Sequence, residues 1–247
     1  MSYGSLETVI SIGNISDVTA APTNLKDLPF LPGLMARATD PVWGPGDFIF
    51  ARAGGAIRLF GLCVLTPVYD GTGFTFTQNM TEVPNTANLG RSLYVYQGDT
   101  ALTTGQYGWF MRRGVTPVNC QASVAADTTF GIAAAGQGGA NSAGKQVLGG
   151  RIVTAGAQTV VKAGTGVSGD NVIQIPNGTA GYFPGGFLSG TGVGASAVIQ
   201  KVFPFSLQVS VVNSAAISGN VTQTANNGTI FYNVAALSDP IAQGAIT

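Results

Sequence analysis

The chain has 247 residues, which suits one large or two small β domains, and its 11 basic and 11 acidic residues give a formal net charge of zero. Such a balance argues against a nucleic-acid-binding surface, which requires clustered basic side chains. The sequence has no histidine, which excludes a Ser-His-Asp triad, a Cys-His pair and an imidazole metal site.

Hydropathy and cysteine content constrain the compartment. The mean hydropathy is +0.30, yet polar residues, glycine and proline interrupt every apolar stretch before it reaches the roughly 18 residues of a membrane span. No membrane partner is therefore predicted. Residues 1–7 lack the basic start of a secretory signal, so synthesis in the cytoplasm is expected. In that reducing compartment Cys63 and Cys120 are predicted to be free buried thiols, with a disulfide between them as the alternative.

Residues 1–45 are predicted to form an extended N-terminal arm, because prolines and glycines interrupt every helix or strand period. A strongly apolar run lies within this arm. A segment of that kind must lie on its own domain or on a partner, and the sequence leaves both open. Deletion of residues 1–40 is expected to leave the rest folded. The predicted partner contacts are Leu28, Phe30, Leu31, Leu34 and Met35.

A run of short strands follows, at roughly ten-residue spacing, which is typical of a small β sandwich or barrel. Phe48 and Phe50 are predicted to share one face of the first strand. Residues 105–115 are rich in aromatic side chains, and Trp109 is predicted to face opposite to Phe110. Further strands are predicted at residues 56–65, 74–77, 93–96 and 118–124, with a turn at 70–71.

Two segments come close to ligand-binding motifs. Residues 139–146 approach a phosphate-binding loop, but Gln146 stands where a magnesium-binding Ser or Thr is needed, and no helix-forming sequence follows. A surface loop over residues 136–150 is the preferred interpretation. Asp170 and Asn171 are interpreted as a turn rather than a calcium loop, because too few oxygen ligands surround them. No metal site and no cofactor are predicted.

The composition changes at about residue 156, and only Lys201 and Asp239 are charged between residues 171 and 247. A second, smaller β domain is predicted over residues 156–230. A surface with so few charges does little to oppose self-association, so a homodimer or homotrimer is expected. The predicted strands lie at residues 158–161, 172–175, 197–203, 206–212 and 229–234.

Residues 41–50 (PVWGPGDFIF) and 105–110 (GQYGWF) resemble the head decoration, or cement, proteins of tailed bacteriophages. In similar proteins a Gly-Gln-Tyr-Gly-Trp turn precedes a strand of a small β domain. Low-charge, alanine-rich sequence such as residues 124–150 then leads to Gly-Arg-Ile-Val, here 150–153. The closing residues 233–241 look like a return to the first domain. That domain would then comprise residues 46–155 and about 231–247, with the second domain inserted.

This resemblance implies a non-enzymatic virion protein, made in the host bacterial cytoplasm, that binds the outer surface of the capsid. It would cement neighbouring major capsid subunits through many weak contacts that add by avidity. The resemblance implies no catalytic residue. One alternative is a head or tail fibre subunit, or adhesin, whose second domain binds glycans through aromatic residues such as Tyr182 and Phe183, although core packing is the preferred interpretation of both. A carbohydrate-active enzyme is disfavoured, because it needs paired carboxylates in one cleft and the 11 acidic residues are scattered.

Overall fold

Strands make up the regular structure of the chain. The computed structural model describes residues 18–21, 28–40, 43–69, 76–155, 159–226 and 231–242. These residues form sixteen β-strands and no helix, so the all-β class predicted from the sequence is confirmed. The described part of the chain accordingly holds no helix of the length and apolarity that a membrane crossing needs.

The described strands fall into two sheets, one of ten strands and one of six. The first nine strands are β1 (Met35–Asp40), β2 (Gly44–Ala53), β3 (Leu62–Tyr69), β4 (Phe76–Glu82), β5 (Arg91–Tyr96), β6 (Tyr107–Cys120), β7 (Gly131–Ala134), β8 (Gln137–Gly139) and β9 (Val147–Thr154). The other strands are β10 (Thr159–Gly166), β11 (Val172–Gln174), β12 (Phe187–Ser189), β13 (Ile199–Phe203), β14 (Ser206–Val209), β15 (Ile217–Thr224) and β16 (Phe231–Ala242). The larger sheet contains β1 to β9 and β16, and the smaller contains β10 to β15.

The centre of the larger sheet is a closed ring of strands. β2 pairs with β4 through a short parallel contact, β4 with β3, β3 with β5, β5 with β6, and β6 again with β2. Successive side chains of a strand point to opposite faces, and both faces of this ring are buried. Phe48, Phe50 and Trp109 pack in one apolar cluster, whereas Phe110 packs in the other. The faces predicted for these residues are therefore confirmed.

Strand β6 differs from the sequence prediction. The sequence predicts separate strands at residues 105–115 and 118–124, but β6 runs unbroken from Tyr107 to Cys120. Gly114 lies within it with a φ of +130°, a conformation that residues with a Cβ rarely adopt. A Cβ at this position would also lie 3.0 Å from the Pro45 carbonyl oxygen on the neighbouring strand β2. Glycine thus allows β6 to continue past β2 at close range.

Two further expectations about the first sheet are wrong. Residues 136–150 are not a surface loop throughout, because they contain the buried strand β8 and the start of β9. Glycine is needed in β8, since a Cβ on Gly138 would lie 2.8 Å from Cys120 Sγ. The strand expected at residues 56–65 begins only at Leu62. The predicted turn at residues 70–71 lies outside the described residues, as does the start of the strand expected at 74–77.

The second sheet has the strand order β12-β15-β10-β11-β14-β13 and an apolar cluster of its own. The strands predicted at residues 172–175, 197–203 and 206–212 correspond to β11, β13 and β14, each with shorter bounds. Strand β15 was not predicted, because its sequence shows no clear alternation of apolar and polar residues. Its inward apolar side chains are those of Ile217 and Val221, and the polar Gln223 occupies the next inward position. The chain then returns to the first sheet, where β16 pairs with β6.

Two consecutive aromatic residues join the two apolar clusters. Tyr182 packs in the cluster of the second sheet, and its hydroxyl donates to the Val221 carbonyl oxygen at 2.8 Å. Phe183 points the other way, into the main cluster of the first sheet. Its ring centroid lies 6.1 Å from that of Trp43 and 5.8 Å from that of Tyr232. The segment that precedes β12 therefore anchors each sheet to the other.

Candidate interaction surface

Three of the five predicted contact residues pack on the chain itself. Leu28, Phe30 and Leu34 lie partly buried against the main cluster of the first sheet. The centroid of the Phe30 ring is 5.5 Å from that of Phe50 and 5.3 Å from that of Trp109. Aromatic pairs at such distances contribute about 0.5–1.5 kcal/mol beyond the burial of their area. The sequence left open whether these residues pack on their own domain or on a partner, and these three pack on their own domain.

The other two predicted contact residues face outward. Leu31 is 76% exposed and Met35 is 55% exposed. A turn holds Leu31 in place, because Leu34 N donates to the Leu31 carbonyl oxygen at 3.0 Å and Gly33 N donates to the Phe50 carbonyl oxygen at 2.7 Å. Gly33 has a φ of +91°, which favours glycine at this position of the turn. The exposed leucine is thus presented by an ordered backbone.

Strand β1 has an edge that no described strand covers. Residues 35–40 belong to the arm predicted from the sequence, yet they form the outermost strand of the first sheet, paired in regular antiparallel register with β2. Phe50 N donates to the Leu34 carbonyl oxygen at 2.9 Å, and hydrogen-bonded pairs alternate along an antiparallel ladder. The residues whose backbone N–H and C=O groups point away from β2 are therefore Met35, Arg37 and Thr39.

A chain of ion pairs runs across the same sheet and ends on β1. Asp239 on β16 accepts from Arg113 on β6 and lies 2.7 Å from Nε of Arg112. Arg113 also lies 3.8 Å from an oxygen of Asp47 on β2, and Arg37 on β1 approaches the same carboxylate at 4.0 Å. Exposed pairs of this kind contribute little to stability singly. Together they set an alternating charge pattern that leads to the uncovered edge.

The hydrogen bond from Arg113, the largest cause, lowers the pKa of Asp239 from its ordinary value of 3.8, and the charge of Arg112 acts in the same direction. A carboxyl group whose pKa is lowered by folding stabilises the fold when the pH is above its pKa in the unfolded state. This stabilisation is lost as the pH falls through its pKa in the folded state.

We expect Asp239→Asn to unfold at a lower urea concentration than the wild type at neutral pH, with the difference closing below pH 3.8. Asparagine suits the φ of +49° at this position, so the change tests charge rather than backbone strain. Urea titrations of both proteins at the two pH values measure the effect. A difference that persists unchanged in acid would show that the ion pairs do not contribute.

The cysteines offer no reactive thiolate. Cys63 and Cys120 are both free and buried, as the preferred interpretation of the sequence predicts. Burial raises the pKa of Cys63 well above its ordinary value and raises the pKa of Cys120 to about 12. Both side chains are therefore protonated at neutral pH, and a protonated thiol is a poor nucleophile and metal ligand.

The two near-motifs are occupied by internal contacts. In residues 139–146, Lys145 donates from Nζ to Asn85 Oδ1 at 2.8 Å, and strand β9 follows rather than a helix. Asp170 accepts a hydrogen bond from Val172 N at 3.2 Å, as in a turn. Within the described residues no three cysteine or carboxylate side chains come together as metal ligands would.

The second sheet exposes aromatic side chains that the sequence did not single out. Tyr182 and Phe183, the glycan-binding aromatics of the alternative function, are buried, as their preferred interpretation as core residues predicts. Phe203 and Phe205 are instead 45% and 63% exposed, at the turn between β13 and β14. This turn is fixed, because Thr179 Oγ1 donates to the Phe203 carbonyl oxygen at 2.6 Å. The sequence Phe-Pro-Phe at residues 203–205, where one predicted strand ends and before the next begins, was the available signal.

The outward side chains of Leu31 and Met35, together with the edge of β1 that no described strand pairs with, are here called the arm surface. No protein-family model matches the chain, and neither does any curated protein or solved structure. The features that indicate a function are therefore the arm surface and the sequence resemblance of residues 41–50 and 105–110.

Proposed function

We propose that the chain is a non-enzymatic structural virion protein that binds the outer surface of a bacteriophage capsid and cements neighbouring major capsid subunits. The arm surface is the observation that carries this proposal. Two exposed apolar side chains stand beside a strand edge, and the inward residues Phe30 and Leu34 hold that segment on the core. Such a surface supports contact with another protein.

The arm surface combines two kinds of binding energy. An extended segment of a capsid subunit can add to β1 as a further strand, which engages the outward backbone groups of Met35, Arg37 and Thr39. The apolar side chains then become buried against the partner. Because residues 28–40 already pack on the first sheet, binding avoids part of the entropy cost of ordering a loose segment. One such contact is small, so repetition by capsid symmetry supplies the overall affinity.

Self-association belongs to the same proposal. Between residues 171 and 226 the sequence has a single charged residue, Lys201, and Lys201 lies 3.3 Å from Asp99. Contact between two copies through this part of the second sheet would therefore bring little unneutralised charge together. We expect a homodimer or homotrimer in solution, and light scattering of the purified chain measures it.

A second candidate function is a fibre subunit or adhesin that binds glycans. The exposed rings of Phe203 and Phe205 favour it, since they stand on a fixed turn where a sugar ring could stack. The polar groups near this turn are less favourable. Thr179 and Lys162 donate to backbone carbonyl oxygens of the protein itself, so they are less available to bind sugar hydroxyls.

Quantitative protein composition of purified particles distinguishes the two candidates. A decoration protein is expected in many copies, comparable in number to the capsid subunits, whereas a fibre subunit is expected in a few. The purified chain should also sediment with capsids that lack it. Absence from the particles, or failure to bind such capsids, would contradict the proposal.

A further inference from the structure

We propose that the capsid segment that adds to β1 carries an aspartate or glutamate opposite Arg37, with an apolar residue two positions away, opposite Met35. This inference rests on the proposed function, because it specifies the partner of the arm surface. It makes Arg37 the residue that sets the register and the choice of partner strand.

The charges of the ion-pair chain support an acidic partner. Of the side chains that form it, three are guanidinium groups, on Arg37, Arg112 and Arg113, and two are carboxylates, on Asp47 and Asp239. One positive charge is therefore in excess. Asp239 is held closely by its arginines, whereas Asp47 is shared between two arginines at 3.8 and 4.0 Å. Among these described side chains, the excess charge is least neutralised at Arg37, the outer end of the row of ion pairs.

Arg37 is that outer end. Its side chain is 80% exposed, and the carboxylate that it approaches among the described residues is that of Asp47, at 4.0 Å. Asp47 lies directly opposite Arg37 on β2. An added strand would place a residue at the corresponding position on the other side of β1, where directly opposed side chains have Cβ atoms about 4.5–5.5 Å apart. A carboxylate there continues the alternation of charge from strand to strand.

The neighbouring positions define the rest of the pattern. Met35 and Arg37 are two residues apart on β1 and therefore share a face of the sheet. A partner strand that pairs with both presents its own facing residues two positions apart. An apolar residue opposite Met35 would shield that exposed side chain from water, while a basic residue opposite Arg37 would be repelled. The arm surface thus favours a partner strand in which an acidic residue and an apolar residue are two positions apart.

Binding of the full-length chain to capsids that lack it tests this inference at several salt concentrations. We expect Arg37→Gln to weaken binding about tenfold at low salt and to remove most of the salt dependence, and Arg37→Glu to weaken it further. Arg91→Gln is the matched control, because Arg91 is an exposed arginine on β5 outside the ion-pair chain, and it should bind as the wild type does. Thermal unfolding of each variant checks that it is folded.

The outcomes separate this inference from the proposed function. If Arg37→Gln binds with wild-type affinity and salt dependence while substitution of Leu31 and Met35 abolishes binding, the acidic partner is wrong and the arm surface stands. If none of these variants alters binding, both are wrong. An equal loss in Arg37→Gln and Arg91→Gln would indicate general electrostatic attraction and would also overturn the assignment to Arg37.

Discussion

Phe183→Ala is expected to lower the free energy of unfolding by about 3–5 kcal/mol, the usual cost of removing a buried phenylalanine ring. The ring is 1% exposed and contacts the aromatic rings of Trp43, Phe60 and Tyr232. Tyr232 lies on β16 of the first sheet, and Phe60 and Trp43 pack in or against the main cluster of that sheet, whereas Phe183 precedes β12 of the second sheet. Because these neighbours belong to different parts of the fold, they can move into the cavity only in part. Most of the lost stability should therefore not be recovered.

The effect should be large compared with the total stability, because a folded domain is typically stable by only about 5–15 kcal/mol. Guanidinium titration followed by tryptophan fluorescence measures it. Both tryptophans of the sequence, Trp43 and Trp109, lie in the first sheet or beside it. A lower guanidinium concentration at the unfolding midpoint of this signal would show that Phe183, which precedes β12 of the second sheet, stabilises the first sheet.

Phe203→Ala is the matched control for this experiment. It removes the same side chain from an exposed position on the β13–β14 turn, and surface substitutions usually change stability by no more than about 0.5 kcal/mol. If Phe183→Ala and Phe203→Ala had equally small effects, Phe183 would not join the two sheets as its contacts indicate.

The strands that alternate cleanly were predictable from the sequence. Phe48 and Phe50, and likewise Trp109 against Phe110, follow the period of two that a strand imposes, and the structure places them on the expected faces. The closure of the ring was not predictable. The closure of the ring depends on β6 pairing with both β2 and β5. Pairing between strands that are distant in the sequence does not produce a local sequence pattern.

Strands β12 and β15 were missed for a physical reason. β15 has few apolar side chains, and its inward Gln223 is held by a hydrogen bond from Phe183 N at 2.9 Å. β12 has three residues and pairs with β15. Tertiary partners rather than intrinsic preference stabilise both strands, as is common in sheets.

The arm shows the limit of composition as a guide. Proline and glycine do exclude a helix, and the described part of residues 28–40 has none. Composition could not show which apolar residues face inward, because that depends on the register of β1 against β2. The structure also argues against the expectation that residues 1–40 can be removed without harm. Deletion would remove Phe30 from Phe50 and Trp109 and would uncover β2.

Substitution of the outward residues is therefore the sharper test of the arm surface. We expect the double variant Leu31→Ser/Met35→Thr to bind capsids about 30- to 700-fold more weakly than the wild type, as quantified by co-sedimentation. Full burial of one such side chain contributes about 1.5–3 kcal/mol, and partial burial of both about 2–4 kcal/mol. Threonine suits a strand, so β1 should be preserved.

The folded state should be nearly unaffected by this double variant, because Leu31 and Met35 are exposed and neither belongs to an apolar cluster of the first sheet nor packs against one, unlike Phe30 and Leu34. A thermal midpoint equal to that of the wild type would confirm this. The control variant Val167→Ser/Val212→Ser alters two exposed apolar side chains of the second sheet's loops, which are 69% and 52% exposed. It should retain full binding if the arm surface is the contact. Wild-type occupancy by the Leu31→Ser/Met35→Thr variant, together with loss in the valine variant, would move the contact to the second sheet.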